Sequence, residues 1–142
     1  MKKAAQRAIY HVQRELEQAI IDEGKTTVAL CDRGTVDGLA YWPDSAESYW
    51  RELQTTREAE LARYAAVIHL RTPNDQRGYN HQNPMRTENA IEATLIDERI
   101  VKVWDGHPNR VFIESTDNFL EKVKLALDEI KNQLVALQQK NS

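Results

Sequence analysis

Segments with helical periodicity alternate along this chain with short apolar runs, and this alternation limits the folds that the chain can adopt. The apolar runs have the length and composition of buried strands, and they are Thr26–Cys31, Ala65–Leu70 and Val111–Ile113. The long helical stripes between and around them cover residues 3–22, 87–104 and 120–137. Helices that alternate with buried strands are typical of an α/β fold with a parallel sheet. The sequence therefore predicts about three parallel strands flanked by helices.

Two shorter helices are predicted from their start signals. Asp44 and Glu47 have capping-box spacing, and Thr55 and Glu58 repeat that spacing. The first pair predicts a helix that ends near residue 53, and the second predicts one that ends near residue 64. Both helices fall between the first two predicted strands.

Length and charge limit the class of protein. The 142 residues suffice for one domain, residues 1–142, and the net charge of -3 gives no general attraction to nucleic acid or anionic lipid. No apolar stretch approaches the roughly 20 residues of a membrane span. The single cysteine, Cys31, excludes a disulfide framework and is expected to pack as a small apolar residue. These features predict a cytoplasmic protein with neither a nucleic-acid partner nor a membrane span.

The segment Gly24-Lys25-Thr26-Thr27 resembles the end of a phosphate-binding loop, G-x-x-x-x-G-K-[ST]. The first glycine of that motif would have to stand at position 19, which is Ala19, in the middle of a predicted helix. A true loop also follows a strand and opens a helix, whereas here the helix comes first. Gly24 is therefore predicted to end the first helix rather than to bind phosphate.

A carboxylate, a guanidinium and a glycine follow the first predicted strand as Asp32-Arg33-Gly34. At the carboxyl end of a parallel strand, Asp32 would face the crevice where α/β folds bind ligands, and it could hold a magnesium-bound water or orient a substrate hydroxyl. Arg33 offers a planar fork for phosphate oxygens, and Gly34 permits a sharp turn. Taken alone, these residues also fit a loop in which Asp32 and Arg33 pair with each other, and both interpretations are open.

The longer segment from Asp32 to Pro43, DRGTVDGLAYWP, resembles a family of P-loop proteins. This family is the AAA-type domain that is shared with the ribosylnicotinamide kinase part of NadR, and the Asp-Arg pair is also similar to that of thymidylate kinases. The resemblance continues through residues 58–70 and 78–99. It implies a partial P-loop NTPase-type sheet and an ATP- or GTP-binding domain that uses Mg²⁺ and transfers a phosphoryl group to a small acceptor.

The resemblance also implies roles for individual residues. Asp32 matches the carboxylate that holds magnesium water or acts as a general base, and Arg33 matches the arginine that contacts a transferred phosphate. Asp37 matches a group that binds a substrate hydroxyl, and a role as a cap or turn residue, which its position favours slightly, is open as well. The family's glycine-rich phosphate loop would precede Lys2 and is missing, which implies a C-terminal portion with weak or no activity.

A long polar loop, residues 72–86, follows the second predicted strand. Long loops in compact domains often close over ligands, and the resemblance implies that Arg77 and Arg86 act as lid arginines over phosphates. Ser115 and Thr116 lie where related kinases hold the nucleotide base, and plain helix capping explains them equally well.

Two alternatives to a kinase-like domain are open. One is a non-catalytic interaction module that uses the same scaffold and docks through its last helix. The other is an unrelated α/β enzyme with Asp32 and Asp37 as an acid/base pair.

Overall fold

A computed structural model describes residues 1–71, 84–114 and 118–140 of the chain, and for residues 84–91 and 140 it describes the backbone alone. The fold is mixed α/β and rich in helix, with a small parallel sheet flanked by helices, as predicted. The elements in chain order are α1 (Lys2–Glu23), a 3₁₀ turn (Asp37–Tyr41), α2 (Ala46–Leu53), α3 (Arg57–Leu61), β1 (Val67–Leu70), α4 (Pro84–Val103), β2 (Arg110–Ile113) and α5 (Phe119–Lys140).

These elements form two compact units. The first unit comprises Met1–Tyr64 together with Lys102–Asp105, and the second comprises Ala65–Val101 and Gly106–Ser142. Compact units of this kind occur within single domains as well as between domains, so the single-domain organisation stays a prediction.

Aromatic side chains form the core of the first unit. Tyr10 from α1 packs with Trp42, Tyr49 and Leu53 in one buried cluster. The rings of Trp42 and Tyr49 meet edge to face with centroids 5.1 Å apart, a favourable geometry for aromatic pairs. This cluster anchors α1 and α2 to the irregular segment between them.

The polar side of α1 faces the rest of the first unit, and its apolar side faces solvent. Ion pairs and hydrogen bonds join the polar side to α2, to α3 and to the residue before the cap of α2. They link Lys3 to Asp44 and Glu52, Arg7 to Glu52, and Tyr10 and Arg14 to Glu60. Ile9, Val12 and Leu16 lie on the opposite side and are 57%, 59% and 59% exposed. Gly24 ends the helix in the left-handed conformation, as predicted.

The two strands of the second unit pair in parallel. Val67 lies opposite Arg110, and Leu70 lies opposite Ile113. The ladder extends by one bond, from the Arg71 amide to the Ile113 carbonyl at 2.9 Å. Helix α5 packs against both strands. The crossover between parallel strands contains a helix, α4, as is usual for such connections.

The prediction of a first strand at Thr26–Cys31 is wrong. These residues have no regular secondary structure, and Leu30 is 70% exposed. Cys31 is exposed as well, so the prediction that it packs in a core is also wrong. A strand needs a neighbour for its amide and carbonyl groups, and in the described part of the chain β1 and β2 pair with each other alone. The described residues therefore contain two strands rather than three.

The helix boundaries differ from the predictions by one to three residues. Ser45 rather than Asp44 caps α2 and accepts a hydrogen bond from the Ser48 amide, while Thr56 rather than Thr55 caps α3. Helix α4 begins at Pro84 rather than at residue 87. Most of the predicted loop, residues 72–83, lies outside the described residues. None of the described helices combines the length and the apolar character that crossing a membrane requires.

Candidate functional site

Asp32 and Arg33 project from an irregular segment of the first unit, just before a tight turn. Both residues are exposed. The carboxylate nearest to Arg33 among the described residues is that of Asp37, with 4.0 Å between Nη1 and Oδ2. The structure therefore shows two exposed side chains that do not pair with each other, and their role in binding a ligand stays a prediction.

The turn that follows Arg33 is held at successive backbone groups. The Gln13 amide donates to the Arg33 carbonyl at 2.8 Å, and the Gly34 amide donates to Asp37 Oδ2 at 3.1 Å. The Gly34 carbonyl accepts from the Asp37 amide at 3.1 Å. The Gln13 side chain, which stands 20 positions from Arg33, thus converges with local groups on this turn.

Thr35 is fixed at three atoms. Its amide donates to the Tyr64 hydroxyl at 2.7 Å, its carbonyl accepts from the Tyr49 hydroxyl at 2.9 Å, and its own hydroxyl donates to Glu60 Oε2 at 2.7 Å. Thr35 is buried with 2% of its surface exposed. Every backbone polar group from the Arg33 carbonyl to the Thr35 carbonyl therefore has a hydrogen-bond partner. These bonds fix the backbone from which the exposed side chains of Asp32 and Arg33 extend.

Glu60 is the centre of this arrangement and is fully buried. Its Oε1 accepts hydrogen bonds from Tyr10 at 2.7 Å, Thr55 at 2.7 Å and Arg14 at 3.0 Å, in addition to the Thr35 bond at Oε2. Burial alone would raise the pKa of Glu60, but the hydrogen bonds from threonine and tyrosine and the Arg14 charge outweigh it and hold the pKa below its usual value. Glu60 is therefore ionised, and its hydrogen bonds hold α1 and the turn against α3.

Asp37 lies inside the protein. The Trp104 indole donates to its Oδ1 at 2.6 Å, while Oδ2 accepts from the Gly34 amide. Burial raises the pKa of Asp37, against the effect of these two hydrogen bonds and of the Arg33 charge. Because both carboxylate oxygens already accept bonds from the protein, the geometry favours the turn role for Asp37, and its substrate-binding role stays a prediction.

Trp104 also closes one side of the turn. A Cβ atom built on Gly34 would lie 2.5 Å from Cζ2 of the Trp104 ring. The ring packs edge to face with Tyr64, with centroids 5.1 Å apart. Glycine at position 34 is therefore required by the close approach of the indole.

The structure describes the side chains of none of the four other predicted site residues. Arg77, Ser115 and Thr116 lie outside the described residues, and Arg86 lies in the first turns of α4, where the backbone alone is described. Their assignments stay predictions. Arg71, at the carboxyl end of β1, pairs with Asp97 at 2.7 Å within the second unit.

Several residues of this site were not predicted from the sequence. Glu60 lies on α3 and Tyr64 follows the end of that helix. Their spacing of four residues, within a helix predicted to end near residue 64, was a signal that they share one face. Trp104 gave no comparable signal, because it stands 67 positions from its partner Asp37.

The donor chemistry near the turn fits magnesium held through a single carboxylate. Mg²⁺ keeps several waters and often takes one or two carboxylates together with substrate phosphates. Asp32 offers an exposed carboxylate for this purpose, whereas both Asp37 oxygens already accept hydrogen bonds. Among the residues that the structure describes, no group of three or more His, Cys, Asp or Glu side chains forms a site for a metal ion.

One comparison with known proteins gives a match. The family model described as an AAA domain matches residues 2–122. No curated protein and no solved structure matches the chain. The match covers most of the chain and includes all residues of the turn and its anchors.

Proposed function

This chain belongs to the AAA domain family, and on that basis we propose that it binds ATP or GTP with Mg²⁺ and that its phosphoryl acceptor is a small molecule. The observation that supports this proposal is the pair of exposed charges, Asp32 and Arg33, mounted on a turn whose backbone groups are all bonded. Phosphoryl transfer depends on positioning and on charge stabilisation, and both require groups whose geometry is fixed before the ligand arrives.

Each of the two residues has a defined role in the proposal. Asp32 holds a magnesium-bound water or accepts a proton from the acceptor hydroxyl, and Mg²⁺ supplies neutralisation of the phosphate charge. Arg33 contacts phosphate oxygens through its planar guanidinium. Arg86 and Arg77 would add positive charge over the phosphates, and Ser115 and Thr116 would contact the nucleotide.

The proposed affinity is low. These 142 residues contain no G-x-x-x-x-G-K-[ST] segment, the motif whose backbone and lysine hold nucleotide phosphates. Arg33 and Asp32-bound Mg²⁺ would carry most of the phosphate contact. We therefore expect catalysis by this chain to be slow or absent even where nucleotide binding is measurable.

Calorimetric titration with ATP and GTP, with and without Mg²⁺, tests the proposal. Arg33→Gln is expected to weaken binding about tenfold or more, because a charge-assisted hydrogen bond contributes roughly 1.5–3 kcal/mol. Asp32→Asn is expected to remove the enhancement by Mg²⁺ and to leave the metal-independent binding.

The matched controls are Arg51→Gln and Asp22→Asn, which change the same residue types at exposed positions of the first unit. They are expected to bind as the wild type does. Absence of binding for both nucleotides, or equal losses in the controls, would contradict the proposal.

A non-catalytic interaction module is the second candidate, and exposed apolar side chains favour it. On α5, Phe119, Leu120 and Leu127 are 75%, 73% and 51% exposed. Retained partner binding in Asp32→Asn and Arg33→Gln, without any nucleotide binding by the wild type, would favour this candidate over the first.

A further inference from the structure

Helix α1 presents an apolar stripe to solvent along most of its length. Ile9, Val12, Leu16 and Ile20 recur at intervals of three and four residues, and each is at least 39% exposed. Ala5 and Ala19 continue the same stripe and are also exposed. Intervals of three and four residues place these side chains on one face, which is the pattern of a helix that packs against another helix.

The orientation of this stripe is fixed by the contacts on the other side of α1. Arg14 bonds to the buried Glu60, and the Tyr10 ring lies in the aromatic core. Glu17 accepts from the Tyr64 hydroxyl at 2.8 Å. Rotating the helix to bury the stripe would break these bonds and leave the buried Glu60 without the two of its four donors that lie on α1, including the Arg14 charge, which is costly. The stripe therefore stays outward in the folded chain.

The charged residues at the two ends of α1 have signs that oppose the dipole of the helix. Its first turn has no acidic residue and its last turn has no basic residue. Lys2 stands instead at the amino end, and Asp22 and Glu23 stand at the carboxyl end. Basic charge at the amino end and acidic charge at the carboxyl end both oppose the helix macrodipole. A second helix that runs antiparallel would place opposite charge beside each end.

We propose that the apolar stripe of α1 is an interface with a second copy of this chain, in which the two α1 helices pack antiparallel about a two-fold axis near Val12. In this arrangement Ile9 of one copy lies beside Leu16 of the second copy, and Lys2 lies beside Glu23 of the second copy. A parallel pair would instead place like charges together at both ends. Ala5 and Ala19 allow the helix backbones to approach closely.

The size of this interface sets its strength. Helix α1 has 22 residues, which gives a length of roughly 33 Å. A single helix stripe of this length lies at the lower end of the area that a stable dimer buries. The dimer is therefore concentration-dependent, and it exchanges with monomer in the micromolar range.

Sedimentation equilibrium of the full chain over low-micromolar to millimolar concentrations tests the proposal. Wild type is expected to pass from monomer to dimer. Leu16→Lys is expected to weaken the dimer about 100-fold or more, because it brings an unpaired charge into the apolar contact of each copy. The matched control is Leu95→Lys, which removes an exposed leucine of α4 and is expected to leave the dimer unchanged.

Charge reversal tests the antiparallel direction. Lys2→Glu adds an acid at the amino end, which favours the helix itself, so a weaker dimer cannot be attributed to helix loss. It is expected to weaken dimerisation about threefold to tenfold, because exposed ion pairs contribute little each. Adding Glu23→Lys to Lys2→Glu restores opposite charge across the interface and is expected to restore the wild-type affinity.

Disulfide trapping tests the register in a Cys31→Ser background. Val12→Cys is expected to cross-link to itself across the two-fold axis, whereas Ile9→Cys is expected to cross-link to Leu16→Cys and not to itself. A monomer at every concentration, a dimer that survives Leu16→Lys, or an Ile9→Cys chain that cross-links to itself as fast as to Leu16→Cys would each overturn the proposal.

Discussion

Gly34 shows how closely single residues of the turn fit their surroundings. The Trp104 ring lies where a side chain at position 34 would begin, and the Tyr64 ring lies close by. The turn thus depends on a glycine because of the space around it. Gly34 directly follows Arg33, so the packing of Gly34 against these rings also fixes the backbone from which the Arg33 side chain extends.

We expect Gly34→Ala to lower the free energy of unfolding by about 1–3 kcal/mol, the usual cost of overpacking a filled site. Denaturant titration monitored by tryptophan fluorescence measures this change, since the Trp104 ring must move. Unchanged stability would mean that the indole shifts at no cost and that the turn is looser than its contacts indicate.

At the residue scale, the sequence indicated a turn that carries two charged side chains, but it did not indicate the residues that hold this turn. Asp32, Arg33 and Gly34 are adjacent, so their types alone indicated a charged turn. Glu60 and Trp104 could not be assigned in this way, because their roles come from contacts with Thr35 and Asp37 across 25 and 67 positions. Local pattern carries no information about such distant partners.

The elements were predicted best where one amphipathic pattern ran for several turns. Helices α1 and α5 and strands β1 and β2 lie where the periodicity placed them. The segment Thr26–Cys31 has the composition of a strand, yet a strand forms only where a neighbour supplies hydrogen bonds. Composition therefore cannot decide between a strand and an exposed apolar segment, and the prediction failed there.

Helix caps provide a prediction at the scale of elements. Ser45→Ala is expected to lower the free energy of unfolding by about 1 kcal/mol, because the Ser45 hydroxyl accepts from the Ser48 amide at 3.3 Å at the start of α2. Asp44→Ala, the control, removes a hydrogen bond to the Ser45 amide and an exposed ion pair with Lys3, and the loss is expected to be smaller. Equal costs in thermal unfolding would instead favour Asp44 as the cap.

For the molecule as a whole, buried carboxylates give stability two opposite dependences on pH. The pKa of Glu60 is held below its ordinary value of 4.5, so its contribution is present above that pH and is lost as the pH falls below it. The pKa of Asp37 is raised above 3.8 by burial, so its contribution is greatest in acid and declines as the pH rises through its folded value. Glu60 accepts hydrogen bonds from four donors and Asp37 from two, so we expect Glu60 to have the larger effect on stability.

We expect Glu60→Gln to lower the free energy of unfolding at neutral pH by about 1.5–3 kcal/mol, because the buried carboxylate loses its charge-assisted hydrogen bond with the partly exposed Arg14. The difference from wild type is expected to shrink as the pH falls below about 4.5. Urea titrations at several pH values measure both effects. A difference that stays constant down to pH ~3 would show that Glu60 does not carry the acid sensitivity.

Trp104 gives the first unit a particular order of assembly. Its indole completes the turn beside Asp37 although 67 positions separate the two residues, and residues 102–105 belong to the same unit as residues 1–64. During synthesis, the amino-terminal 64 residues leave the ribosome well before this tryptophan does. Contacts between distant positions also form late in folding, since a long loop must close first. The turn that holds Asp32 and Arg33 is therefore completed only after the strand β1 and the helix α4 have been made.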